Sequence, residues 1–211
     1  MALFQKKPVT SSSLPLYTVG ANKTVLIIGL GNIGDKYKNT RHNVGFMVLD
    51  DFAKRNDFPA WTNKKDLYCQ LTNQQMGQAN VILCKPTTLV NNSGQAASAV
   101  QRFYRIYNQT TLAVYDELAI PFASLRTRRG GSDAGHNGIK SLIAHIGGDF
   151  GRLRIGIASE QAGKSKAADF VLAKFSKDEL DKLPAVIKEA GVLLTEYIFG
   201  GELNHETRST L

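Results

Sequence analysis

The stretch TVLIIGLGNIGDKYKNTRHNV, residues 24–44, decides the fold. Thr24 to Ile28 are aliphatic or β-branched throughout and carry no charge, as in a strand buried on both faces. Gly29-Leu30-Gly31-Asn32-Ile33-Gly34 then matches GxGxxG literally, with Asp50 lying 16 residues past the last glycine. In a dinucleotide site the third glycine opens a helix that leads to a second parallel strand. Here only the nine residues from Asp35 to Asn43 are free for it, nearly all polar, whereas such a crossover with its helix takes at least about 10 to 12. Val44, Met47, Val48 and Ala53 share a helix face instead, so the spacing predicts a helix over Val44 to Arg55 capped by Asn43. The segment after Gly34 becomes a surface loop, and NAD is not expected. What remains is a glycine loop at the carboxyl end of a strand, where α/β sheets hold their ligands, presenting the side chain of Asn32.

Outward from this stretch, short apolar runs alternate with segments of helical period, which makes an α/β chain. Further strands are expected at Leu67 to Thr72, Asn80 to Lys85, Leu112 to Tyr115, Leu125 to Arg128 and Leu153 to Ile157. Further helices are expected at Ser93 to Tyr107, at Gly138 to Ile146, and after Ser176, where Ser176 and Glu179 form a capping box. The last helix should bury Leu180, Leu183, Ile187, Ala190, Leu194 and Tyr197 and kink near Pro184. The architecture is one domain over residues 23–211, a twisted mixed, mainly parallel sheet with helices on both faces. Residues 1–22, with Ser11-Ser12-Ser13, two prolines and no acid, read as a poorly ordered arm and not as an Arg-rich transit peptide.

Composition narrows the function. At 43% hydrophobic and 21% charged, the 211 residues suit a packed globular core. No apolar run reaches the length of a membrane span, and two cysteines, Cys69 and Cys84, build no disulfide framework. A soluble protein of the reducing cytoplasm is expected. Lys plus Arg (26) exceeds Asp plus Glu (18) by 8, a tilt towards a polyanionic partner.

The chemistry-bearing residues fall in loops. Histidines occur at 42, 136, 145 and 205, none at ligand spacing from another His, Cys or acid, so no metal is expected. His42, in a polar run before a helix, takes a proton from water if a partner orients it; a surface histidine fits the position equally. The best orienting carboxylate is Asp116, at the carboxyl edge of a buried strand that carries the glycine loop too if the strands run parallel. A turn acid before Pro121 is the alternative. Lys85-Pro86-Thr87-Thr88 and Asn91-Asn92-Ser93 offer neutral donors suited to an oxyanion or peptide, or simply a helix cap. Arg126 and Arg128, then Arg152 and Arg154, alternate along extended segments near Arg129-Gly130-Gly131-Ser132 and Gly135-His136-Asn137-Gly138. That pattern fits phosphate at a helix N-terminus, or a solvated face.

Together these blocks resemble bacterial-type peptidyl-tRNA hydrolase. The match rests on Ile28 to Gly34, Tyr37, Thr40 to Gly45, Lys85 to Thr88 with Asn91 and Ser93-Gly94, Asp116-Glu117-Leu118, Arg129 to Ser132 with Gly135 to Gly138, and Arg152 to Gly156. The resemblance implies a cytoplasmic monomer that hydrolyses the ester between a peptide and the 3′ ribose of tRNA, with no cofactor, metal or membrane. It recycles tRNA from stalled translation by way of the acceptor stem and 3′ CCA end. It further implies His42 as general base, Asp116 as its orienting carboxylate, and Asn32 and Asn91 holding the scissile ester. Asn91 or a backbone N–H would steady the oxyanion, Asn137 would bind the peptide or terminal nucleotide, and Tyr37 would line the cleft. Arg126 and Arg128, with Arg152 or Arg154, would contact phosphates. A binding-only relative would keep the basic residues and not this amide, base and acid set. Departures are Ile33 in place of a usual proline, Asn92 in place of an apolar residue, and Asp133-Ala134 in place of glycine-like residues. Asp133 adds a negative charge beside the expected phosphate path.

Overall fold

The computed structural model describes residues 23–159, 162–164, 166–201 and 203–210. The expected arm, residues 1–22, lies outside them. In chain order the elements are β1 (Lys23–Gly29), α1 (Val44–Arg55), β2 (Thr62–Lys64), β3 (Cys69–Met76), β4 (Ala79–Pro86), α2 (Ser93–Tyr104), β5 (Thr111–Pro121), β6 (Ser124–Arg129), α3 (Asn137–Ile146), β7 (Gly151–Ala158), α4 (Ala167–Leu172), α5 (Lys177–Gly200) and β8 (Glu206–Ser209).

The strands form one sheet in the order β2-β3-β4-β1-β5-β7-β6-β8. Its centre, β4-β1-β5-β7, is parallel, and antiparallel strands complete both sides. Alternation along β1 sorts the core. Val25 and Ile27 pack with α1 and α5 residues on one face, while Leu26 and Ile28 pack with α2 and α3 residues on the other. Both faces of the central strand are therefore dry.

The glycine stretch behaves as the spacing predicts. Asp35–Tyr37 and Arg41–Asn43 are single 3-10 turns, and the first α-helix starts at Val44. A Cβ on Gly45 would overlap the backbone of Leu30 and the Val114 carbonyl, so glycine lets α1 close directly onto the end of β1. Asp50 meets Lys85 Nζ at 2.6 Å, which gives the acid 16 residues beyond Gly34 a protein partner instead of a ribose.

Several local expectations change. Asn43 does not cap α1 through its side chain, nor Asn92 α2, and Ser93 Oγ is buried with no partner among the described residues. Strand β3 starts late because a 3-10 turn at Lys65–Leu67 ends in left-handed Tyr68, and α2 stops at left-handed Arg105. Helix α5 has the capping box and continues through Pro184, but Leu180 is exposed and Val186 and Leu193 are buried instead. Strands β2 and β8 and helix α4 were not anticipated. Arg208 on β8 holds α5 through Glu189 at 3.0 Å and through Glu196.

Candidate active site

Pairing between β1 and β5 is parallel and ends at Gly29 with Val114. Strand β5 runs on to Pro121, so Asp116 is neither a turn acid nor at a strand end. It lies two residues past the last pairing with β1, beside the loop that leaves β1. The turn Arg41–Asn43 brings His42 to the same place, and His42 Nδ1 lies 2.8 Å from Asp116 Oδ1. Burial alone disfavours a charged His42. The hydrogen bond and charge of Asp116 outweigh it and raise the imidazole above its ordinary value. Burial likewise pushes the Asp116 carboxyl up, but the hydrogen bonds and electrostatic pull of the His136 and His42 rings overcome this and hold it well below the usual carboxylate range. Ionised Asp116 accepts from Nδ1–H, which leaves the Nε2 lone pair of neutral His42 as the basic atom. That atom has no hydrogen-bond partner among the described residues, and His42 lines a cleft of about 570 Å³.

His136 is the residue that sequence reasoning missed. Its Nδ1 accepts from the N–H groups of Gly138 and Ile139 at 3.1 and 3.2 Å, capping α3. Nε2 must then carry the proton, which it donates to Asp116 Oδ1 at 3.1 Å. The signal was present as His-Asn-Gly at a helix start, but histidine is an unusual cap and its acid lies 20 residues back. This cap takes the first N–H groups of α3, so the helix N-terminus does not offer them to a phosphate.

The ligating atoms of His42, Asp116 and His136 lie within 4.8 Å of one another, a cluster that sequence spacing alone did not bring out. The protonation pattern does not suit a metal. A metal on His136 Nε2 would move the proton to Nδ1, against two N–H groups already pointing at it.

Asn32 is equally constrained. Asn43 Oδ1 accepts its N–H and Asn43 Nδ2 donates to its carbonyl, both at 2.9 Å, while Asn32 Oδ1 accepts from Val90 N–H at 2.9 Å. Among the described residues nothing accepts from Nδ2, whose hydrogens are left for the cleft that Asn32 lines. Tyr37, Asn91 and Asn137 line it too, Asn91 and Asn137 from exposed positions. Ala167, Ala168, Val171 and Leu172 of α4 add an apolar wall.

The four arginines sit apart from the cleft. Arg126 pairs in register with Arg154, and Arg128 with Arg152, on one sheet face. Arg126 is exposed and Arg128 and Arg154 half-buried, whereas Arg152 is 1% exposed. Its guanidinium donates to the carbonyls of Gly131 and Ser132 and lies over the Phe150 ring. Arg152 therefore builds the glycine loop and has no surface to present to a phosphate. Arg128 folds over Gly131, at φ 103°, where any Cβ would strike its guanidinium. Asp133 accepts from Gly135 N–H at 2.8 Å, so the departing acid forms a local turn.

Residues 26–209 match the profile of the family described as Peptidyl-tRNA hydrolase. The peptidyl-tRNA hydrolase of Aliarcobacter butzleri is 45% identical over 163 residues, 77% of this chain and 86% of that protein. That of Levilactobacillus brevis is 38% identical over 178 residues, 84% of this chain and 94% of its own length. The crystal structure of peptidyl-tRNA hydrolase from Acinetobacter baumannii superposes with a TM-score of 0.77 at 31% identity, covering 85% of this chain and 90% of that one. With the sheet order, the cleft and its His-Asp pair in view, these likenesses over most of its length mean that the chain belongs to the peptidyl-tRNA hydrolase family.

Proposed function

We propose that the chain hydrolyses the ester between a peptide, or an N-blocked aminoacyl group, and the 3′ ribose of tRNA, returning tRNA from stalled or aborted translation. The observation that carries the mechanism is the His42 imidazole, held at Nδ1 by an ionised Asp116 with Nε2 free towards the cleft. Nε2 takes a proton from water as the oxygen attacks the ester carbonyl, and the tetrahedral oxyanion collapses with loss of the 3′ oxygen. The imidazolium returns its proton to that oxygen. Asp116 stays ionised throughout, as the carboxylate of a Ser-His-Asp triad does. Asn32 Nδ2, locked by Val90 and Asn43, is the best prepared donor for the carbonyl, because a fixed dipole needs no reorganisation as charge develops. Asn91, Asn137 and Tyr37 hold the acyl chain and terminal nucleotide. Arg126, Arg128 and Arg154 offer charge to acceptor-stem phosphates, while Arg152 supports the loop beside them. The base is a side chain, and no step of this reading is assigned to a metal or cofactor. The protein acts as a cytoplasmic monomer; among the described residues no helix is long and apolar enough to cross a membrane.

The test is ester release from N-blocked and from free aminoacyl-tRNA in EDTA. Release from the blocked substrate is expected, falling about 10²- to 10⁴-fold in His42→Ala with tRNA binding retained. Full activity in that variant would overturn the mechanism, and binding without turnover by the native protein would make it an RNA-binding relative.

A further inference from the structure

Beside the general base lies a charged group that the mechanism does not use. Arg41 is 1% exposed, although its side chain departs from the residue next to His42. Its Nη1 donates to the Lys174 carbonyl at 2.9 Å and its Nη2 to Glu179 Oε2 at 2.6 Å. The guanidinium lies 4.2 Å from the ring centre of Phe170, the buried residue of α4, and 5.6 Å from that of Phe175. The same Glu179 oxygen accepts from Ser176 N–H at 2.7 Å, closing the capping box of α5. Backbone bonds run alongside, from Arg41 N–H to the Ala173 carbonyl at 3.0 Å and in a bridge between Thr40 and Lys174. The partners of the Arg41 side chain therefore all belong to the segment from α4 to the start of α5, and α4 supplies the apolar wall of the cleft.

Stability alone is a poor reason for this arrangement. The ion pair is joined through one nitrogen and one oxygen, and Arg41 Nε and Glu179 Oε1 are both buried without partners among the described residues. A buried pair with unsatisfied atoms regains little of its desolvation cost, and apolar replacements often serve stability as well. Placement is what such a pair supplies.

We propose that Arg41 is a positioning residue: through Glu179 and Phe170 it fastens the α4 wall to the turn that carries His42, so that the acyl chain is gripped in register with the base. This rests on the proposed hydrolase function and adds to it how acyl binding is tied to the catalytic turn.

The experiment compares the native protein, Arg41→Met combined with Glu179→Gln, Leu172→Ala on the exposed lip of the wall, and all three changes together. Gln at 179 keeps an acceptor for Ser176, and Arg41→Lys tests rescue by charge alone. KM, kcat, the pH profile and Tm are read with tRNA carrying an N-blocked bulky apolar aminoacyl group. The paired variant is expected to raise KM about tenfold with the acidic limb of the profile unmoved, with partial recovery in Arg41→Lys. Leu172→Ala should raise KM too, yet add little to the paired variant, because contacts through one element do not add. A moved acidic limb, a lowered Tm with unchanged KM, or fully additive effects would overturn the inference. Absence of turnover in the native protein would instead overturn the hydrolase function and this inference with it.

Discussion

The turn that carries His42 and the strand pair that carries the arginines belong to one domain, yet hold their charges in opposite ways. Around His42 the polar groups are buried and aimed. Asp116 takes two imidazoles on one oxygen, His136 is engaged at both nitrogens, and Asn32 is held at its backbone and at Oδ1. Across β6 and β7, Arg126 is exposed and Arg128 and Arg154 are half-buried. A transition state gains from dipoles already in place, whereas a mobile polyanion needs charge left in water and free to adjust. Residue type does not separate the two regions, since Arg41 and Arg152 are buried while Arg126 is not.

Asp116→Asn should break the aimed region most severely, lowering ester hydrolysis about 10²- to 10⁴-fold. Asp116 favours the imidazolium, so the native acidic limb should lie above the ordinary His value of 6.5, activity rising as His42 loses its proton. In Asp116→Asn the residual limb should move down. His136→Ala leaves Asp116 with one donor fewer, concentrates its charge on His42 and should move the limb up. A pH profile of kcat/KM for each variant checks both signs, and movement in the same direction would sink the division of roles. Asn32→Ala should cost about 10²- to 10³-fold in kcat, read under single-turnover conditions.

The exposed region should respond more mildly. Arg126→Ala should weaken tRNA binding and reduce the slope of log affinity against log salt by about one, leaving kcat at saturation unchanged, and Arg128→Ala should do the same while also freeing the Gly130 carbonyl that its Nε holds at 2.8 Å. Arg152→Met should leave that slope alone and lower Tm instead, through the freed carbonyls of Gly131 and Ser132. A salt titration of all three variants sharpens the contrast, and a slope change in Arg152→Met would remove it.

Legibility in the sequence followed the range of the interaction. Strand β1, helix α1 and the α5 capping box were readable because their signals, apolar run, helical period and cap, lie within a few residues. Helix α4 has six residues and no side-chain cap, and β8 alternates half-buried with exposed polar residues, so neither carries a local pattern. Asn43 read as a cap because asparagine before a helix usually is one. Its carboxamide turns instead to Asn32, 11 residues back.

From the sequence alone came the α/β class, the rejection of a dinucleotide site, and a resemblance that placed His42, Asp116, Asn32, Asn91, Asn137 and Tyr37 in one cleft. Tertiary structure decided what each charged group does there. It made His136 the second donor to Asp116, turned Arg152 inward, and tied Arg41 to Glu179 across 138 residues. The physical reason is that chain-local preferences settle strands, helices and caps. Whether a guanidinium meets a carbonyl, a carboxylate or water depends on which distant segments the packed sheet brings beside it.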